Sequence, residues 1–370
     1  MKKRTIAALL SIVMVLCLLA GCGGSGSNAK ADDAKEDTTA EEPAAEEKAN
    51  TEEPAEEAAA PAGDAVVLKL ASIKATENYM YQGQEMFKKA VEEASNGSIV
   101  IELYPASQLG GQNEIVEGLN MGTIEMGFLA PSITENSYPK ASVLGLLFLA
   151  QNEDHALRMW EESDMAAEVK EGLRQELNMR ILGLHIEGAR HIFTTVPVEK
   201  LDDLKGVKLR VPEVPLFVSS FTALGCNPTP MSMSDVYTGL QTGIVEGLEN
   251  DMPAVLSNNF ADFCKYCYKT SHAVTISSFV IADTVWEKLS SEQQEIIQKA
   301  VDEADVWLNE EYYRQVEETE AQLEEMGMTI VTPSEEDRAA MIEILNPIVE
   351  ETIEGLCTPE DLDTLRALAN

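Results

Sequence analysis

Arginine is scarce in the middle of this chain, which narrows the search for a site that could hold an anion. Between Ile181 and Tyr313 there are two, Arg190 and Arg210. Arg210 lies in Leu204-Lys205-Gly206-Val207-Lys208-Leu209-Arg210-Val211-Pro212, whose alternation predicts a strand over 207–211. Val207, Leu209 and Val211 share one face of that strand, and Lys208 and Arg210 share the other. Gly206 permits a tight start and Pro212 ends the ladder. A guanidinium at a strand end can grip a carboxylate through two parallel hydrogen bonds. The competing use of Arg210 is an ordinary ion pair with one of the many surface acids.

The other reactive side chains suggest little chemistry. The histidines are His155, His185, His191 and His272, and none pair at metal-ligand spacing. Cys264-Lys265-Tyr266-Cys267 is a lone C-x-x-C pair, two ligands where a structural zinc needs four. It is expected to be two partly buried thiols, with oxidation outside the cell as the alternative. No nucleophile elbow, zinc-binding helix or phosphate-cradling glycine loop is present. No enzyme activity, metal or cofactor is expected.

These residues need a scaffold, and the pattern supplies one. Strands are predicted at 66–72, 98–104, 125–130, 180–187 and 207–211. Helices are predicted at 81–94 and 112–121, the second stopped near Gly122, with a turn at Asn96-Gly97. Ser232 with Asp235 forms a capping-box pattern ahead of a helix over 236–242. The β-α-β-α rhythm argues an α/β fold with mainly parallel sheets. From Ser290 to about Met326 there is no Gly or Pro, and Ser290 or Ser291 can cap a helix of about 35 residues, about 50 Å long. That exceeds one lobe, so the helix either crosses two or is broken.

The N-terminal end suggests export. Lys2, Lys3 and Arg4 precede an apolar run from Ile6 to Ala20, too short to span a bilayer comfortably. Leu19-Ala20-Gly21-Cys22 has the small residues before cysteine that a bacterial lipoprotein peptidase requires. Residues 1–21 are therefore expected to be a signal peptide and Cys22 the lipidated residue, held at the cell membrane by two acyl chains. Residues 23–63 hold twelve Asp and Glu against Lys30, Lys35 and Lys48, with no aromatic or large aliphatic residue. Such a stretch has nothing to bury and reads as an acidic tether. The remaining 300 or so residues are large for one core, so two lobes are expected. A net charge of -37 excludes nucleic acid as a partner. It also requires that any anionic ligand be won by local cations at short range.

Several longer segments now fall into one order. They are YPASQLGGQNEIVEGLNMGTIEMG at 104–127, Gly188-Ala189-Arg190, LDDLKGVKLRVP at 201–212, PTPMSMSDVYTGLQTG at 228–243 and VEGLEN at 245–250. In type and spacing this resembles the DctP family of solute-binding proteins, which serve tripartite ATP-independent periplasmic (TRAP) transporters. The resemblance covers nearly all of the chain after the tether. It implies a two-lobe, Venus-flytrap fold joined by crossing strands, with a long helix across both lobes. Lobe I would be 64–187 plus 276–315, and lobe II 188–275 plus 316–370. The family's central arginine, which binds the ligand carboxylate, falls on Arg210; a second arginine falls on Arg190, and the asparagine that donates to the same carboxylate on Asn250. Glu249 would be structural. Met233 falls where a side chain lines the cleft, commonly an aromatic, and His272 on a position near the cleft in some relatives. In the first lobe, the loop carrying Asn78 and Tyr81 is expected to face the cleft, with packing as the alternative for its aromatics. The sialic-acid branch carries an acidic residue where this chain has Pro131-Ser132, which argues against a nine-carbon sugar acid. The implied partners are a small carboxylate and the small and large TRAP membrane subunits, the chain itself being a monomer. The alternative is a sensing role, docking a membrane receptor.

Overall fold

The computed structural model describes residues 65–369; the expected signal peptide, Cys22 and the expected tether lie outside them. The chain begins with β1 (Val66–Ser72), α1 (Tyr79–Ala94), β2 (Ile99–Tyr104), α2 (Gln112–Met121) and β3 (Met126–Leu129). Helices α3 (Glu153–Glu162) and α4 (Asp164–Leu177) precede β4 (Met179–Ile181) and β5 (His185–Thr194). Then come β6 (Lys208–Val211), α5 (Pro215–Ala223), β7 (Asn227–Pro230), α6 (Val236–Thr242), β8 (Gly247–Asn250) and α7 (Met252–Ser257). The chain continues through β9 (Tyr266–Ala282), α8 (Asp283–Trp286), α9 (Ser291–Glu325), β10 (Thr329–Val331), α10 (Glu335–Ile353) and α11 (Pro359–Ala367).

The strands run in the order β2-β1-β3-β9-β5-β8-β6-β7, with β4 and β10 also pairing β9. β1 pairs β2 and β3 in parallel, and β6 pairs β7 and β8 in parallel. Each lobe therefore has the parallel core the β-α rhythm predicts. The centre is antiparallel: β9 opposes β3 over Ser278–Ile281 and β5 over Tyr266–Ser277. β9 has 17 residues, mostly β-branched, aromatic or small, and is long enough to serve both lobes. Strands β5 and β9 are the crossing strands.

Helix α9 is one unbroken element of 35 residues. Ser290 and Gln293 form a reciprocal capping box at its start. It packs on α1 of the first lobe and α7 of the second, so it crosses both. Glycines permit its close approach, Gly83 and Gly188 among them. A Cβ on Gly83 would meet Leu308 Cδ2 at 2.6 Å. Gly188, at φ +137° in the irregularity of β5, would place a Cβ 2.8 Å from the Tyr312 ring.

Three expectations are corrected. Residues 180–187 are two strands, because β4 and β5 pair successive stretches of β9 and the chain steps out between them. There the Leu182 carbonyl accepts from Gln298 Nε2 at 2.7 Å and the Gly183 carbonyl from Ser278 Oγ at 2.6 Å. Ser232 does not cap α6: its hydroxyl is 2.7 Å from Ser234 Oγ, and a 3-10 turn over Met233–Asp235 starts the helix instead. The thiols of Cys264 and Cys267 are fully buried in the second-lobe core rather than partly so. Burial pushes the Cys264 thiol up to about 12 and raises Cys267 as well, which keeps both protonated and unreactive. At the C-terminus α10 lies on α5, while α11 returns to α3, where the Leu365 carbonyl is 2.8 Å from His155 Nε2. Among the described residues, no helix is long and apolar enough to cross a membrane.

Candidate binding site

A cavity of about 500 Å³, counting its mouth, opens between the lobes where β1, β3, β6 and β8 end and β5 and β9 cross. Arg210 reaches it from β6. The strand's alternation buries Leu209 and Val211 in the core, and parallel pairing with β7 and β8 holds Arg210 inside, 2% exposed. Its Nε and Nη2 both donate to the Met231 carbonyl, at 2.9 and 2.7 Å. That fixes the plane of the guanidinium and leaves both Nη1 hydrogens and the second Nη2 hydrogen, one edge of the fork, uncommitted. Among the described residues Arg210 has no carboxylate partner, so it is not the surface ion pair that composition allowed. Burial lowers its pKa to about 10, Glu249 opposing and Arg190 adding to the drop; it remains a cation at neutral pH.

Asn250 ends β8 beside it, 1% exposed. Both Nδ2 and Oδ1 are buried without a partner among the described residues. Leaving a buried amide unpaired costs about 1–3 kcal/mol per group, so such a side chain is retained for something that completes it.

Arg190 is committed differently. Its Nε donates to Glu249 Oε2 at 2.6 Å, and its Nη2 to Glu249 Oε1 at 2.8 Å and to the Glu249 carbonyl at 3.0 Å. Only Nη1 is left for the cavity, and the guanidinium carbon lies 5.4 Å from the Phe217 ring centre. Burial alone would raise the Glu249 carboxyl, but Arg190 and His272 hold it below its usual range. Met233 is among the residues that line the cavity.

Three predicted contacts are placed elsewhere. His272 does not line the cavity. Its Nδ1 is 2.8 Å from Thr270 Oγ1 and its Nε2 3.2 Å from Glu249 Oε2, so it supports Glu249 from behind. Burial, against the pull of Glu249, lowers its pKa, and the neutral ring fits one accepted and one donated bond. Asn78 caps α1 through the Met80 N–H at 2.9 Å and donates to Ser257 Oγ at 3.2 Å. Tyr81, one turn into the same helix, likewise does not line the cavity. The loop starts a helix instead of facing the cleft.

Sequence reasoning missed Lys74 and Glu187, both 8% exposed, which line the cavity and pair at 2.6 Å. Glu187 Oε2 also accepts from Ser277 Oγ at 2.5 Å. Phe128, Phe217 and Ile133 supply apolar wall. Among the described residues, no three His, Cys, Asp or Glu side chains are grouped to hold a metal ion.

The sequence profile of the Bacterial extracellular solute-binding protein, family 7 (DctP), matches residues 70–355, which takes in every cavity residue named above. This chain belongs to that family. Among curated relatives it is similar to the sialic acid-binding periplasmic protein SiaP of Vibrio cholerae, 33% identical over 244 residues, covering 66% of this chain and 76% of the relative. Among solved structures it is similar to a TRAP periplasmic solute-binding protein of Haemophilus influenzae with bound L-gulonate. That likeness has a TM-score of 0.76 and 27% identity, covering 82% of this chain and 99% of the other. A TRAP solute-binding protein of Pseudomonas putida F1 with bound D-glucuronate gives a TM-score of 0.75 at 26% identity, over 82% and 96% of the two chains. The family 7 fold is the two-lobe architecture described above, and solute capture for a TRAP transporter is the family's role.

Proposed function

We propose that this family 7 protein captures a small carboxylate between its lobes, without turning it over, and hands it to the membrane subunits of a TRAP transporter. Arg210 and Asn250 are the primary contacts, with Arg190 Nη1 and Met233 beside them. The observation that carries this reading is the pairing of a buried guanidinium lacking a carboxylate with a buried amide lacking any partner. A carboxylate has room for about four hydrogen bonds, and one ligand group would complete both side chains. The ligands named for the similar structures, L-gulonate and D-glucuronate, are carboxylates too.

The test is a thermal-shift screen of the chain from residue 64 onward against mono- and dicarboxylates, 2-oxo acids, sugar acids and amino acids, with calorimetry on each hit. A ligand at a hundred times its dissociation constant stabilises by about 2.7 kcal/mol. A panel with no carboxylate hit, on protein unfolded and refolded to free its cleft, would sink the reading.

We place the protein outside the cytoplasm, held to the membrane by lipid on Cys22 and spaced from it by residues 23–63. Cys22→Ser is expected to move the protein from the membrane fraction to the soluble fraction. Unchanged partitioning of that variant would rule the anchor out.

A further inference from the structure

The charges around the cavity can be matched one by one. Lys74 faces Glu187 at 2.6 Å, and Arg190 is forked onto Glu249. Arg210 is the one lining cation without an acid against it among the described residues. Asp251, 3% exposed, stands behind Glu187; burial and then Glu187 raise its pKa to about 6, so it adds up to one negative charge and no positive one. Glu213, exposed at the mouth beside Arg210, adds another negative charge screened by water. The site can therefore neutralise one ligand charge and no second.

The pair of Lys74 and Glu187 has a different capacity. Lys74 Nζ has three donors, one of them spent on Glu187. The two Glu187 oxygens each hold one bond, from Lys74 and from Ser277, and each has a lone pair left. Thr275 and Gln112 line the same space. A neutral group that both donates and accepts is the complement of that set, and a hydroxyl is such a group. A second carboxylate there would meet the Glu187 carboxylate in a poorly hydrated space.

Resting on the carboxylate reading above, we infer that the site selects a singly charged hydroxy acid over the dicarboxylate of the same length, with the Lys74–Glu187 pair as the selecting element. The overall charge of -37 works in the same direction, since a dianion is repelled twice as strongly during approach.

Matched probes that differ only at one end test this by calorimetry: galactonate against galactarate, gluconate against glucarate, and glycerate against tartronate. The hydroxy monoacid of at least one pair is expected to bind more tightly than its diacid by about ten-fold or more. Glu187→Gln frees Lys74 and is expected to narrow that ratio by about ten-fold, chiefly by raising diacid affinity. If that variant does not fold, Lys74→Gln with Glu187→Gln removes the selecting element without leaving an unpaired charge and is expected to narrow the ratio as well. A diacid that binds the native protein as tightly as its partner overturns the inference, as does an unaltered ratio in whichever of the two variants folds. If none of the six probes binds while another carboxylate does, this inference fails and the carboxylate reading stands. If no carboxylate binds, both fail.

Discussion

Arg210→Ala is expected to remove most carboxylate affinity while leaving the protein folded. In the buried site a fork of charge-assisted hydrogen bonds is lost, which costs about 2–4 kcal/mol of binding, or about 30- to 1000-fold in the dissociation constant. The effect on folding should be small because two terms oppose. The Met231 carbonyl loses both of its guanidinium donors, a cost of about 1–3 kcal/mol if it stays dry. Against that, the folded chain no longer has to keep a cation 2% exposed without an acid beside it. Arg210→Lys should fall between, keeping the charge but not the fork. Calorimetry with the best ligand from the screen, beside a urea titration of each variant, separates the two effects. Native affinity in Arg210→Ala would remove this residue from the site.

The sequence made Arg210 visible because strand alternation and scarcity act together. An arginine on the polar face of a strand, between Gly206 and Pro212, has few uses, and the structure shows it inside rather than on the surface. The long helix was visible for a similar reason: the capping pair Ser290 and Gln293 and the absence of Gly and Pro over 35 residues leave little room for a break. Asn250 was not visible by itself. A short apolar strand ending in Glu-Asn reads equally well as a turn, and the family motif alone marked it.

Lys74 and Glu187 escaped notice for a physical reason. Lys74 follows the strand predicted at 66–72 and Glu187 ends the one predicted at 180–187, and in a chain with 64 acids such charges look like solvated surface. Only the third dimension brings residue 74 to residue 187 across the crossing strands and buries both. The loop at 77–81 misled in the opposite direction. Its aromatics and amide suggested a recognition loop, but Asn78 is a helix cap, and its short polar side chain is what an extended N-cap position favours. The resemblance puts His272 near the cleft, but it lies behind Glu249, where a neutral ring between Thr270 and Glu249 holds the acid that orients Arg190.

That acid carries the second large effect, and on stability rather than binding. Glu249→Gln is expected to destabilise the protein by about 3–5 kcal/mol, because it leaves the buried Arg190 charge unpaired while removing no volume. Arg190 and Glu249 are 7% and 0% exposed, so water cannot take over the lost contact. The pH dependence has a definite sign. The folded Glu249 carboxyl sits below its unfolded value, so the stability from the pair is fully present above the ordinary carboxylate range. It is lost as pH falls through the lowered value, so the gap between native protein and Glu249→Gln should be constant near neutrality and close in acid. Urea titrations across that range check both points. Replacing both partners, as in Arg190→Met with Glu249→Leu, should restore much of the stability, since a buried pair costs nearly as much desolvation as it gains. The same double variant isolates what Arg190 does for the ligand. If Nη1 touches the carboxylate, a refolded and stable double variant still binds weakly; if Arg190 is there only to be held by Glu249, native affinity returns with stability.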